Sequence, residues 1–214
     1  MGQSIGIFFA SLFALFEPSF EAPAKADLSS PELTKIVLTQ PELTQPELTQ
    51  SDLQAHRIVL SKEVSACDKY DREFYAAAQK YSPLGHKEEF SRWLKAQAFA
   101  ESSCRPDVCS PAGACGLMAF LEGTAKDMGV EDRFDPRQSI RGGAKYMNWL
   151  FGQWRAHDRT PVQRQELALG CYNWGLGNFL DLQRKYGCIN FDCFQDYVPE
   201  ETETYVARIS GLVK

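Results

Sequence analysis

The residue with the clearest chemical promise is Glu101, at the end of the apolar stretch W-L-K-A-Q-A-F-A-E-S. A carboxyl lodged among nonpolar groups resists ionisation, so its pKa rises and it keeps a proton near neutral pH. Cleaving a glycosidic bond calls for such a proton, because the departing alkoxide is too basic to leave unaided. A glutamate at a helix end is commonplace, and taken alone its default reading is a solvated carboxylate. Asp107, close behind it, is the nearest candidate for a second carboxylate that would activate a water.

Cysteine is the other reactive residue type. The seven are Cys67, Cys104, Cys109, Cys115, Cys171, Cys188 and Cys193. Cys104/Cys109 and Cys188/Cys193 have the local spacing of short disulfide loops, and disulfides suit an exported protein. Zinc is the rival, but His56, His86 and His157 all stand away from the cysteine pairs, so neither metal nor cofactor is expected. A disulfide among Cys104, Cys109 and Cys115 would fix the loop behind Glu101. The odd count leaves one thiol over, which reads as a small buried hydrophobe.

The elements that must position these groups read as helices. Leu60, Val64, Cys67, Phe74, Ala78 and Tyr81 follow a three-four spacing, interrupted by Asp71, and Ser82-Pro83-Leu84-Gly85 ends it. A second helix starts near Lys87 and crowds Phe90, Trp93, Leu94, Gln97, Ala98 and Glu101 on one side. Further helices are predicted over 123–128, 140–154, 163–172 and 203–212, and no segment alternates with period two. The fold class is therefore mostly α.

Three regions are expected. Residues 1–26 contain a 12-residue apolar run, Ile5 to Phe16, shorter than the roughly 20 residues of a membrane span, with a small-x-small site at Ala24-Lys25-Ala26. They read as a signal peptide or hydrophobic anchor, with envelope or virion association through residues 5–16 as the corollary. Residues 27–54 repeat P-E-L-T from Pro31, Pro41 and Pro46 and read as an extended Pro-rich spacer. Residues 55–214 form the globular domain. Apolar residues make up 44% of the chain, enough for a packed core, and the net charge of −5 without any basic block argues against nucleic acid as a partner.

Beyond these patterns, Glu101 to Met118 (E-S-S-C-R-P-D-V-C-S-P-A-G-A-C-G-L-M) resembles the signature of the soluble lytic transglycosylase family, related to goose-type lysozymes. The resembling residues are Glu101-Ser102, Pro106, Ser110-Pro111-Ala112-Gly113-Ala114 and Gly116-Leu117-Met118. E-G-T-A-K-D-M-G-V, D-P-R-Q-S-I-R-G-G-A-K-Y, Cys171 to Asn178 and Glu201 to Val206 follow in the family's order, so the resemblance covers about residues 67–214. It implies a lysozyme-like helical domain with a catalytic cleft, acting on peptidoglycan glycan strands in the periplasm or envelope, or from a phage virion.

By the resemblance, Glu101 is the single general acid/base that cleaves the bond between N-acetylmuramic acid and N-acetylglucosamine and closes a 1,6-anhydro ring. Ser102 and Tyr172 would orient it, Asn173 and Met118 would line the cleft, Glu201 would brace the site, and Tyr205 would pack behind. Without the ordered motifs, Tyr172 and Tyr205 would read as core aromatics, and Gly175 and Gly177 as a turn. The chain departs from the family at Ala119, where an amide-bearing Gln is usual, and at Cys171, which replaces Ala. The alternatives are a hydrolytic muramidase or phage lysin using the same site, and an inactive wall-binding assembly protein.

Overall fold

The computed structural model describes residues 64–155 and 159–213, so the regions 1–26 and 27–54 lie outside the described residues. After a 3-10 turn over Ser65–Tyr70, the helices are α1 (Asp71–Tyr81), α2 (Lys87–Ser102), α3 (Glu122–Met128), α4 (Pro136–Gln153), α5 (Pro161–Trp174), α6 (Leu176–Tyr186), α7 (Phe191–Phe194) and α8 (Glu200–Val213). Among the described residues there is no strand, only isolated bridges at Cys109–Cys115 and Cys115–Phe120. The mostly α expectation holds.

Local chemistry explains where the longer helices begin. Asp135 accepts hydrogen bonds from the Arg137 and Gln138 amides, with Pro136 opening α4. Thr160 and Gln163 form a reciprocal capping box ahead of α5, again with proline in the first turn. The stripe read from Val64 to Tyr81 is two pieces: a 3-10 turn carrying Cys67, then α1 carrying Phe74 and Ala78, and Asp71 marks the junction. Leu60 lies outside the described residues.

Helix α1 packs against α2 and α4, α5 lies between α4 and α8, and α2 also meets α8. Their shared core includes Phe74, Leu94, Leu117, Met118, Met147, Leu150, Leu167 and Phe179, all essentially inaccessible to water. Burying a side chain of this size contributes about 1.5–3 kcal/mol, so the core dominates the helix arrangement. Gly143 allows α4 to approach Met118, because a Cβ there would sit 2.7 Å from its Cε.

Two helices, α6 and α7, were not expected. Gly175, at φ 94°, breaks the chain as a turn glycine should, but Gly177 lies inside the first turn of α6. Packing of Phe179 into the core, against Trp154, Phe191 and Phe194, outweighs the low helix propensity of that glycine.

Candidate active site

Glu101 sits in the last turn of α2, and the backbone just beyond it is tightly specified. Ser103 and Cys104 both adopt left-handed conformations, φ 52° and 59°. The Ser103 amide donates to the Phe99 carbonyl at 2.9 Å. Non-glycine residues hold this geometry only where the surroundings enforce it. Here a disulfide joins Cys104 to Cys67 in the 3-10 turn before α1. The expected Cys104/Cys109 pairing is thus corrected: close packing of α1 and α2 brings Cys67 to Cys104, with their Cα atoms 5.3 Å apart.

Cys109 pairs instead with Cys115, closing the loop that follows. Backbone bonds between Cys115 and Phe120, 2.9 Å in each direction, make a miniature antiparallel bridge. The Arg133 guanidinium donates to the Gly113 and Phe120 carbonyls at 2.8 and 3.0 Å. Gly116 has φ 81°, and any Cβ there would overlap the Arg133 carbonyl oxygen. Cys188–Cys193 forms as expected, and the leftover thiol, Cys171, is fully buried with its pKa pushed up by burial. The disulfides displace the zinc reading of the cysteines.

The Tyr205 hydroxyl, on α8, donates to Glu101 Oε1 at 2.5 Å. Burial pushes the Glu101 carboxyl up to about 8, and the negative charge of Glu201 adds to the rise, while the Tyr205 hydrogen bond pulls the other way. The first cause dominates, as it does for carboxyls largely screened by apolar neighbours, although Glu101 keeps a partial opening to solvent. Tyr172 and Tyr205 are themselves raised, by burial and then by the Glu101 charge, which places both phenols around the carboxyl.

Other site residues play parts different from those expected. Ser102 Oγ lies 3.1 Å from the Ala98 carbonyl and 2.9 Å from that of Leu117, so its single proton ties the end of α2 to the loop rather than to Glu101. Tyr172 donates to the Met118 carbonyl at 2.7 Å. The Met118 side chain is fully buried and does not line the cleft; the contribution of Met118 is that backbone oxygen. Its amide is held by Ser139 Oγ at 3.0 Å. Tyr205, expected only to pack, bonds Glu101 directly. Asn173 Oδ1 accepts from Thr202 at 2.8 Å, and the pKa of Glu201, on the same wall, is raised by burial. Asp107 is exposed on the loop, and the carboxylate whose charge reaches Glu101 is Glu201.

Two hollows meet at Asn173. One, about 570 Å³ and open to solvent, is walled by Ala119, Phe120, Tyr146 and Tyr172. The other, about 270 Å³, is walled by Ala100, Glu201, Tyr205 and Arg208. Glu101 is bonded by Tyr205 of the smaller hollow, and its charge reaches Tyr172 of the larger. Ala119 takes φ 48° and leaves open the space where a longer side chain would reach into the first hollow. Thr202, Ser139 and Arg133 were missed because they act through backbone or through another side chain. Tyr146 closes the D-P-R-Q-S-I-R-G-G-A-K-Y motif, which was its available signal.

Such a site offers one carboxylic acid of raised pKa, bonded by a phenol that lines one hollow and near a phenol that lines the other. Residues 85–190 match the transglycosylase SLT domain family. The chain is 38% identical over 118 residues to the membrane-bound lytic murein transglycosylase F of Pasteurella multocida (strain Pm70), covering 54% of this chain and 24% of that protein. It is 45% identical over 94 residues to the protein of that name from Shewanella pealeana (strain ATCC 700345 / ANG-SQ1), covering 44% and 19%. The chain thus spans about a quarter or less of the length of these relatives. Among solved structures, the 70 kDa soluble lytic transglycosylase of Escherichia coli aligns with 21% identity and a TM-score of 0.48, over 78% of this chain and 30% of that one. On the domain match and the sequence relatives, residues 85–190 carry a transglycosylase SLT domain.

Proposed function

We propose that this chain is a peptidoglycan lytic transglycosylase that cleaves the β-1,4 bond between N-acetylmuramic acid and N-acetylglucosamine, with Glu101 as its single acid/base. The observation that carries this reading is the Glu101 carboxyl, its pKa raised by burial and its oxygen bonded by Tyr205, beside hollows walled by Tyr172 and Tyr205. The relatives' names, lytic murein transglycosylase F, agree with it.

The chemistry balances without water. Glu101 gives its proton to the bridging oxygen, the bond from muramyl C1 to that oxygen breaks, and N-acetylglucosamine leaves as an alcohol. The substrate's own acetamido oxygen shields the cationic C1. The Glu101 carboxylate then takes the proton from the 6-hydroxyl as its oxygen bonds C1, giving the 1,6-anhydro product and restoring the acid. Tyr205 stabilises the carboxylate in between, because its hydroxyl hydrogen-bonds the charged form. Glu201 keeps a negative potential nearby that favours the protonated resting state. The three disulfides suit an oxidising compartment, and we place the enzyme in the cell envelope or on a phage virion, with residues 1–26 directing it there, 27–54 as the spacer and 55–214 as the catalytic domain. Among the described residues no helix is long and apolar enough to cross a membrane.

Digestion of purified sacculi followed by mass analysis tests the reading. Anhydromuramyl ends are expected. Reducing ends would instead mark a hydrolytic muramidase, and no cleavage at all would leave a wall-binding protein. Glu101→Gln should lower the rate by about 10²–10⁴-fold, and wild-type activity should fall as pH rises through about 8.

Stability provides a second readout. A carboxyl whose pKa is raised on folding stabilises the fold below its unfolded value, and that contribution is lost as pH rises through the folded value. The wild type should therefore lose up to about 1.4 kcal/mol per pH unit relative to Glu101→Gln over this window. Parallel pH–stability curves for the two proteins would contradict a neutral Glu101.

A further inference from the structure

We infer that Trp149, stacked on Tyr146, forms an outer saccharide subsite at the rim of the larger hollow, where it takes the apolar face of an N-acetylated pyranose beyond the sugars at the cleaved bond. This rests on the glycan-cleaving reading above and extends it to strand length. Trp149 is 47% exposed, whereas Trp93 and Trp154 are buried in the core.

Its surroundings are ordered and lead to the site. Trp149 and Tyr146 are three residues apart on α4 and so share a face. Their rings stack with centroids 5.8 Å apart and planes inclined by only 14°. Tyr146 in turn lies 5.2 Å from Tyr172, and Tyr172 lies 6.3 Å from Phe120. Tyr146, Tyr172 and Phe120 wall the larger hollow, and Tyr172 feels the Glu101 charge. Aromatic rings thus run from the walls of the hollow to Trp149, the most exposed of the four.

The chemistry of the ligand fits that row. A β-1,4-linked pyranose carries its polar groups around its edge and presents axial C–H bonds on its faces, which pack on the negative face of an aromatic ring. Stacking on Tyr146 already fixes the indole, so little rotamer freedom is lost when a sugar docks. The other wall of the site, by contrast, ends in the charged Arg208. The aromatic row therefore assigns the direction in which the strand continues.

Binding of β-1,4-linked N-acetylglucosamine oligomers of increasing length to the full chain carrying Glu101→Gln tests this by calorimetry. Affinity should climb with length and gain a last increment when the strand reaches Trp149. Adding Trp149→Ala should remove that increment, weakening the longest oligomers about threefold to tenfold and the shortest least. Trp149→Phe should restore most of it. An unchanged length profile, an equal loss at every length, or no binding at any length would each overturn the subsite. Product analysis on sacculi judges the cleavage reading separately: cleavage with an unaltered length profile removes Trp149 alone.

Discussion

Glu101 lies between two walls held in different ways. On its own side, the end of α2 and the loop to Phe120 carry two disulfides, left-handed residues at Ser103, Cys104 and Ala119, and a glycine pressed against the Arg133 carbonyl. On the facing side, α5 and α8 supply Tyr172, Asn173 and Tyr205 through helix packing and single hydrogen bonds. The difference is chemically sensible. A proton donor must be fixed within a fraction of an ångström of the bond it breaks, whereas the wall that receives a polymer gains from side chains that can adjust. Damage to the first wall should register as lost fold, and damage to the second as altered chemistry on an intact fold.

Gly116→Ala should break that contrast hardest. The new methyl group overlaps the Arg133 backbone carbonyl at a φ of 81° that alanine adopts only under strain. No side chain can swing away to relieve it, so a loss of about 3 kcal/mol or more is expected, read as a lower melting temperature or insoluble protein. A melting temperature within a degree or two of wild type would mean that the loop is far softer than its geometry implies.

Replacing both Cys67 and Cys104 by Ala comes next. The cross-link closes a loop with a sequence separation of 37, and its removal should lower stability by about 2–4 kcal/mol in denaturant titrations. Activity should fall with it, since Cys104 holds the turn directly after Glu101. If stability drops while the rate per folded molecule stays put, the disulfide serves the fold and not the acid.

This covalent bond also shows where sequence reasoning stops. One-sided apolar spacing pointed to α1 and α2, because burial of one face dictates such helices locally, and helices were also expected where α3, α4, α5 and α8 lie. Glu101, Tyr172 and Asn173 were legible from ordered motifs. The Cys67–Cys104 link was not, since it depends on α1 folding back on α2, and local spacing pointed to Cys104/Cys109. Met118 was found as a residue, yet its orientation follows from the turn at Ala119 and the gap left by Gly143. Helix α6 was hidden by the two glycines at its start. The contact between Tyr205 and Glu101, 104 residues apart, is a product of α8 packing against α2, and no local pattern encodes it.

Tyr205→Phe examines that contact with the smallest perturbation of the fold, because it removes one buried oxygen and keeps the ring. In the wild type the hydroxyl donates to Glu101 and favours its carboxylate, so it pulls the pKa down against burial. Without it the acid should hold its proton more tightly, and the alkaline limb of the pH–rate profile should move above the wild-type position near 8. The rate near pH 7 should nevertheless fall about tenfold, since the carboxylate formed after proton transfer loses its charge-assisted partner. These two changes point in opposite directions on the protonation scale, and that opposition is the diagnostic. A helix packed behind the site merely for support would give a slower enzyme with an unmoved limb, whereas a phenol that stabilises the transient carboxylate gives a slower enzyme whose acid is harder to ionise.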